Sequence, residues 1–224
     1  MLGALGPARR RGGAGRGFTV IELMVVVALV AVILALAAPS MYDYLVRQRV
    51  AGINAELVTD LELARSEAIA RNADVYVTFR VDDDSMTCYT IHTLANFGRC
   101  DCRKPVGTAC LKSDGTPYVG AHEIKTVQVP RSTNAVLVPP AEGYSTSNQV
   151  IFSKTRGMID WEGHRPLTPS GDDDFANYVA NWADFSVGVE SPRSGRLRTQ
   201  INITGRPQVC SPDGSFTGVP RCGG

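Results

Sequence analysis

RGFTVIEL, residues 16–23, decides the fold because it places one carboxylate, Glu22, at the start of a long apolar run. The sixteen residues from Leu23 to Ala38 carry no polar side chain. Counted from Phe18, the run reaches the length of about twenty residues that a helix needs to cross a bilayer. A carboxylate in such a helix is costly unless a cation pairs with it. The sequence therefore predicts a membrane-spanning helix that carries one functional acid.

The segment before the apolar run is basic and rich in glycine. It carries four arginines, and it ends at Gly17. A secretory signal peptide would have a small-x-small cleavage site after the apolar run, and this sequence has none there. Any cleavage is therefore expected before the run. The arginines keep this end in the cytoplasm by the positive-inside rule, which sends the residues after Pro39 outward.

The composition limits the classes of function. Removal of the four leader arginines leaves 19 basic residues against 22 acidic ones, a net charge of −3, so the mature chain has no general attraction for nucleic acid. Six cysteines are typical of a protein in an oxidising compartment. About 185 residues follow the membrane segment, which is enough for one domain with a core.

After Pro39 a helical pattern continues in amphipathic form. Asn72 is a plausible end for this helix, since asparagine tolerates the left-handed conformation. Apolar residues recur at spacings of three and four at Val46, Val50, Ile53, Leu57, Leu61, Ala64 and Ala68.

The pattern then alternates with a period of two, which predicts strands. A hairpin is expected from Val75–Val81 and Met86–Ile91, joined by a turn at Asp82–Asp84. Further short strands are predicted at Ile124–Val129, Ala135–Val138, Gln149–Ser153, Phe185–Val189, Leu197–Ile203 and Pro207–Cys210. Two stretches, 97–120 and 161–177, are predicted to be irregular insertions.

The combination of Gly17, Phe18 and Glu22 with Pro39 resembles the signal of type IV pilins and type II secretion pseudopilins. The resemblance implies that a prepilin peptidase cleaves between Gly17 and Phe18 and that Phe18 is then N-methylated. It further implies that Glu22 pairs with the terminal amine of a neighbouring subunit. The apolar helix would anchor the chain in the inner membrane and later form the filament core.

Two further segments narrow the resemblance to the FimT/FimU and GspH group of minor pilins. LELARSEAIARN, residues 61–72, is similar to the group's helix signature. RTQINITGRPQVC, residues 198–210, is similar to its carboxy-terminal strand pair, although Gln208 replaces an arginine of the group's GRxR motif. The expected fold is α+β, the type IV pilin fold, in which a long helix with a transmembrane half and an amphipathic half packs on an antiparallel sheet.

The predicted domains follow from this fold. They are a leader at 1–17, a transmembrane helix at 18–38, an amphipathic helix at 39–72, and a β-rich periplasmic domain at 73–224. The chain is thus expected to be a single-pass inner-membrane protein that enters a pilus or pseudopilus.

The cysteines are expected to form disulfides. Cys210 and Cys222 are close in sequence and should pair to fasten the chain end. Cys88, Cys100, Cys102 and Cys110 should form two bridges, and a bridge between Cys100 and Cys102 is disfavoured because adjacent side chains in a C-x-C segment rarely reach the required geometry. The pairing among these four remains open.

Catalysis and metal binding have little support in the sequence. The three histidines are scattered, with no HExxH or GxSxG motif, so no enzyme is predicted. The cysteines at 88, 100, 102 and 110 are enough in number for zinc, but they lack the C-x₂₋₄-C spacing, so no metal or other cofactor is expected. The aspartates at 82–84 and 172–174 lack the spacing of a calcium loop and are interpreted as turns.

Binding of double-stranded DNA is an alternative function. Some FimT-like pilins take up DNA through a basic carboxy-terminal motif. From Val187 onward this chain has five arginines, at 193, 196, 198, 206 and 221, against Glu190 and Asp213. Such a local excess can contact phosphates, and Arg196, Arg198 and Arg206 are the candidate residues.

The sequence is therefore interpreted as that of a minor pilin of the FimT/FimU type, with a structural role in pilus priming and biogenesis. A DNA-binding pilin for transformation and a GspH-like pseudopilin of type II secretion are the alternatives. The expected partners are the prepilin peptidase, other pilins or pseudopilins and the membrane.

Replacing Gly17 by leucine should block processing, because the proposed cleavage follows a residue without a side chain. We expect the intact mass of the mature protein to correspond to a chain that starts at Phe18, and the mass of the Gly17→Leu variant to correspond to the uncut chain. Gly13→Leu, within the leader, is the matched control and should be processed normally. A mature chain that starts at any other residue would contradict the assignment.

Overall fold

The computed structural model describes residues 17–80, 85–93, 100–138, 149–157, 186–192, 194–202 and 204–223. Within them the chain forms one long helix, α1 (Val20–Arg71), and a short 3-10 helix at Arg131–Thr133. The strands are β1 (Val75–Arg80), β2 (Met86–His92), β3 (Glu123–Pro130), β4 (Val136–Val138), β5 (Gln149–Phe152), β6 (Ser186–Ser191), β7 (Gly195–Ile201) and β8 (Pro207–Cys210). The chain divides into two compact units, Met1–Met41 and Tyr42–Gly224.

The eight strands form two antiparallel sheets of four. The first sheet has the order β3-β2-β1-β5, and the second has the order β4-β6-β7-β8. The predicted hairpin is present as β1 paired with β2, with Phe79 opposite Tyr89. The predicted carboxy-terminal strand pair is β7 with β8, where Thr199 lies opposite Val209. An amino-terminal apolar helix followed by antiparallel sheets confirms the predicted α+β fold.

One core joins α1 to both sheets in the second unit. Of the residues predicted for the buried face of α1, Ile53 is only partly buried and Val46 is buried outside this core, whereas the others are fully buried in it: Val50, Leu57, Leu61, Ala64 and Ala68. The sheets contribute Val75, Val77, Phe79, Tyr89, Ile91, Val129, Leu137, Val150, Phe152, Val187, Val189, Leu197 and Ile201. This burial is the main favourable term that holds helix and sheets together.

Buried polar groups fix the position of α1 on the sheets. The Asp60 carboxylate is 3% exposed, and it accepts hydrogen bonds from the Tyr89 hydroxyl at 2.7 Å and from Lys125 Nζ at 2.8 Å. Burial and the hydrogen bond to Asp60 raise the pKa of the Tyr89 phenol well above its usual value. The phenol therefore stays protonated and acts as the hydrogen-bond donor. On the second sheet, Thr199 Oγ1 donates to Asn54 Oδ1 at 2.9 Å.

The predicted end of the helix is confirmed, whereas the predicted end of β7 was wrong. Asn72 has a φ of 49°, and the Ala73 amide donates to the Ala68 carbonyl, as at a left-handed helix end. Strand β7 was expected to continue to Ile203 but ends at Ile201. The cause lies in Asn202, whose side-chain oxygen accepts a hydrogen bond from the Arg206 amide at 2.9 Å and so favours a turn.

Some predicted features lie outside the described residues. They are residues 1–16 of the leader, the strand ends at Val81, Phe185 and Ile203, the aspartate turn at 82–84, residues 97–99 of the first insertion, the insertion at 161–177 with the aspartates 172–174, and Arg193. Of the insertion predicted at 97–120, the described part from residue 100 onward contains turns and a single bridge between Leu111 and Pro117, with no helix or longer strand.

The two central strands of the first sheet, β1 and β2, are buried on both faces. In β1 every residue from Val75 to Phe79 is buried, and in β2 every residue from Thr87 to His92. Residues 100–122, here called the stapled loop, are joined by a disulfide from Cys102 to Cys88 of β2. The loop therefore packs on the face that α1 leaves uncovered. Local sequence periodicity cannot predict this contact, because it depends on a segment outside the strand.

His92 is a buried titratable group in this second interface. Its Nε2 atom lies 2.8 Å from Thr78 Oγ1, and its ring stacks on Tyr76 at 5.7 Å between centroids. Burial lowers the pKa of His92 to about 4, and the charge of Glu123 acts weakly in the opposite direction. The imidazole is therefore neutral in the folded protein at pH 7.

Stability should decrease as the pH falls from about 6.5 to about 4. The unfolded chain binds a proton at His92 in this range while the folded chain does not, so unfolding becomes more favourable by up to about 3 kcal/mol. Urea unfolding of the full chain in a nonionic detergent, followed against pH, measures the effect. His92→Gln should remove this part of the pH dependence, whereas His122→Gln, at an exposed position, should leave it in place. Equal pH profiles for wild type and His92→Gln would contradict the assignment.

Candidate functional site

The amino-terminal turn of α1 places Glu22 beside the predicted cleavage position. Gly17, Phe18 and Thr19 precede the helix, and the Thr19 hydroxyl accepts a hydrogen bond from the Glu22 amide at 3.3 Å. A threonine followed three residues later by glutamate is the capping-box arrangement of a helix start. Glu22 is thus held in the first turn, at the positive end of the helix dipole. Among the described residues, no cation forms an ion pair with its carboxylate.

The first turns of α1 continue into an apolar surface. Large apolar side chains are exposed all around the helix, with Phe18 at 81%, Leu29 at 60% and Leu36 at 75%. The window Val20–Ala37 has a mean hydropathy of 3.1 and is long enough to cross a membrane. Exposed apolar surface on this scale marks contact with lipid or with other protein. Glu22 therefore lies on a surface where a carboxylate needs a cationic partner.

Arg196 and Arg198 lie on the outer face of the second sheet. They alternate along β7 with Leu197 and Thr199, which are buried in the core. Arg196 Nε lies 3.5 Å from a carboxylate oxygen of Glu190, and both residues line one surface pocket with Asp213. These two acids offset the charge of Arg196. Arg198 is half-buried.

Arg206 lies apart from the other two arginines. It is exposed on the turn between β7 and β8, beyond the opposite end of β7 from Arg196. At about 3.3 Å per residue, the length of the strand separates the two by roughly 15–20 Å. The three arginines grouped in the sequence therefore form a row rather than a cluster.

The six cysteines form three disulfides. Cys88 pairs with Cys102 at a Cα–Cα distance of 5.8 Å, Cys100 with Cys110 at 4.2 Å, and Cys210 with Cys222 at 4.9 Å. Two of these bridges hold the stapled loop, and the third closes a loop at the chain end. Hydrogen bonds to Glu123 also hold the stapled loop. Its two carboxylate oxygens accept hydrogen bonds from the Gly107 and Ala109 amides, at 2.8 Å each.

Among the residues that the structure describes, one buried group offers metal-ligating atoms. A ring nitrogen of His92 and the sulfurs of Cys100 and Cys110 lie within 4.8 Å of one another. Zinc and other soft metals require thiolates, however, and these two sulfurs are bonded to each other. In the disulfide form the two cysteines therefore hold the stapled loop and supply no thiolate ligand.

A junction of α1 with two turns was not predicted from the sequence. Arg65 Nε donates to the Gly157 carbonyl at 3.1 Å. Gly205, on the β7–β8 turn, approaches so closely that an added Cβ would lie 2.6 Å from the same carbonyl oxygen. Arg65 belongs to the helix signature and Gly205 to the carboxy-terminal motif, so the two segments that carried the resemblance meet here. Two loop glycines were the only signal of this contact in the sequence.

Comparisons with known proteins agree with this arrangement. The family model for type II transport protein GspH matches residues 55–205. The model for the prokaryotic N-terminal methylation motif matches residues 14–38, which include Gly17, Phe18 and Glu22. The searches of curated proteins and of solved structures gave no match. Because the GspH match covers more than half of the sequence, the chain belongs to the GspH family and, with its methylation motif, is a type IV pilin-like protein, a pseudopilin or minor pilin of the GspH/FimT type.

Proposed function

We propose that this chain is a minor pilin of the FimT/FimU type that helps to prime or cap a type IV pilus. Family membership already implies a pilin or pseudopilin role in a type IV pilus-like or type II secretion system. The GspH pilin-like family is structural rather than enzymatic. The methylation motif implies processing by a prepilin peptidase and assembly with other pilins or pseudopilins.

The observation that carries the proposal is the lone carboxylate of Glu22 in the first turn of an exposed apolar helix. Cleavage between Gly17 and Phe18 would create an α-amino group four residues before Glu22. When apolar helices pack side by side, a carboxylate among them needs a cation, and the terminal amine of a neighbouring subunit is the available one. The pair would form only in the assembly, so it would favour the assembled state over free subunits.

The topology proposed for the chain follows from the same segment. Residues 1–17 are the leader, residues 18–38 span the inner membrane, and residues 39–72 continue as the amphipathic helix of the periplasmic part. The β-rich remainder, 73–224, lies in the periplasm, where its three disulfides are chemically stable. The apolar window of α1 and the methylation motif support a membrane-anchored pilin.

A pseudopilin of the type II secretion system is the alternative assembly. The description of the matching family, a type II transport protein, favours it. The physical role of α1 and Glu22 is the same in either assembly. Only the set of partner subunits differs between the two.

Replacing Glu22 by alanine should impair assembly while membrane insertion remains intact. Loss of a charge from the apolar helix makes insertion easier by about 2–3 kcal/mol, whereas the proposed ion pair can no longer form. The measurement is the ratio of the chain in sheared pili, or in isolated minor-pilin complexes, to the chain in membranes. Glu62→Ala, which removes an exposed carboxylate further along α1, is the control. Equal incorporation of Glu22→Ala and wild type would exclude the pairing role.

Binding of double-stranded DNA for natural transformation is a second candidate function. It is supported by the exposure of Arg206 and by the position of Arg196 and Arg198 on one outer face of β7. The acids around Arg196 weaken its share of any phosphate contact. Arg198 and Arg206 are therefore the principal residues of this proposal.

A salt titration tests this second function. Each neutralised phosphate contributes about −0.9 to the slope of log affinity against log salt, so two contacts predict a slope near −2 and three a slope near −3. Fluorescently labelled duplex is titrated with the full chain in nonionic detergent. Changing Arg196, Arg198 and Arg206 to glutamine should abolish binding without altering the unfolding midpoint. Arg103→Gln, which removes an arginine paired with Asp101 on the stapled loop, is the control. Absence of any complex at low salt and tens of micromolar protein would leave assembly as the only function.

A further inference from the structure

The junction between α1 and the two turns is tightly constrained. Gly157 and Gly205 have φ values of 60° and 75°, in the left-handed region that favours glycine. An added Cβ at Gly157 would lie 2.8 Å from Arg65 Cγ and 2.9 Å from Ile69 Cδ1. Side chains on these two residues would therefore separate the turns from each other and from the helix.

Local hydrogen bonds constrain the described residues of each turn. The Lys154 amide donates to Asp74 Oδ1 at 3.0 Å, and the Gly157 amide donates to the Ser153 carbonyl at 2.8 Å. On the β7–β8 turn, the Gly205 amide donates to the Asn202 carbonyl at 2.8 Å. Lys154, Arg156 and Arg206 thus project from hydrogen-bonded turn residues.

Three of the projecting side chains are exposed cations. Lys154 and Arg156 immediately precede the contact at Gly157, and Arg206 immediately follows the contact at Gly205. Neither residues 153–157 nor residues 204–206 contain an acid. Arg65 adds a fourth positive charge beneath them. We call Lys154, Arg156 and Arg206 the basic turn surface.

We propose that the basic turn surface binds a carboxylate-rich face of a neighbouring pilin or pseudopilin subunit and that Arg65 is its positioning residue. This inference rests on the proposed assembly function. An acid lies close to the surface, since Asp74 Oδ1 accepts a hydrogen bond from the Lys154 amide at 3.0 Å. Such mixed charge weakens the long-range field that attracts a nucleic acid but suits short, matched ion pairs between proteins.

Carbodiimide cross-linking in the assembly tests the inference. The reagent condenses a lysine amine with a carboxylate that it contacts, forming an amide while the carbodiimide takes up the water as a urea. Lys154 is the only lysine of the basic turn surface, so the expected product joins Lys154 to an aspartate or glutamate of another subunit, as mapped by mass spectrometry. Lys154→Arg keeps the charge but has no amine, so it should assemble normally and lose this product. An intact assembly without a Lys154 cross-link would count against the surface.

Charge reversal gives an independent readout with the full chain. Changing Lys154, Arg156 and Arg206 together to glutamate should lower incorporation about tenfold, because favourable pairs become like-charge contacts. Lys112→Glu, on the stapled loop, is the matched control and should incorporate as wild type. Unchanged unfolding midpoints would show that the variants fold. Arg65→Ala should lower incorporation and accelerate amide hydrogen exchange in residues 202–206, whereas Arg71→Ala should do neither.

The outcomes separate this inference from the proposed function. If wild type fails to enter any assembly, the assembly function itself is wrong. If wild type and the charge-reversed chain enter equally, only the inference fails. If the reversed chain assembles normally but no longer binds labelled duplex that wild type binds, the surface recognises nucleic acid, and the protein-partner assignment is overturned.

Discussion

Burial of one face of α1 is the interaction on which the globular unit depends, because the side chains of both sheets meet this face in one core. Leu57 and Leu61 are fully buried, and each contributes about 1.5–3 kcal/mol of transfer free energy. Buried hydrogen bonds determine the position of α1 along the sheets. A shift of α1 along the sheets would separate Asp60 from Tyr89 and Lys125 and leave a buried carboxylate without donors, which costs several kcal/mol. Apolar burial thus supplies the stability and Asp60 supplies the alignment.

Features that depend on neighbouring residues could be predicted from the sequence. The end of α1 at Asn72 and the pairing of β1 with β2 follow from backbone preference and periodicity, which act over a few residues. The division into two sheets could not be predicted in this way. Strand β4 precedes β5 in the chain but joins the second sheet, where Leu137 lies opposite Val189. That choice depends on contacts between residues about fifty positions apart, which no local pattern records.

The same distinction applies to the candidate sites. The signal around Glu22 could be read from the sequence because its members lie within six residues and act through one helix turn. The carboxy-terminal arginines are close in sequence, yet β7 extends between Arg196 and Arg206 and holds them apart. Conversely, Lys154 and Arg206 are fifty-two positions apart, and the contact of Gly157 with Gly205 brings their two turns together. Proximity in the sequence is therefore a poor guide to charge clusters on a sheet protein.

The contact between the two glycines also has an evolutionary consequence. A side chain at Gly205 would clash with the backbone oxygen of Gly157. Every residue type has this oxygen, so no second substitution could relieve the clash. Gly205 is thus closed to variation while the turns touch, and at Gly157 the left-handed φ of 60° disfavours a side chain. Lys154, Arg156 and Arg206 point into solvent and bear no such constraint. Relatives that keep the two contacting turns could therefore exchange the three cations for other residues without a change of fold. Substitution of these side chains alone would then give them new binding partners.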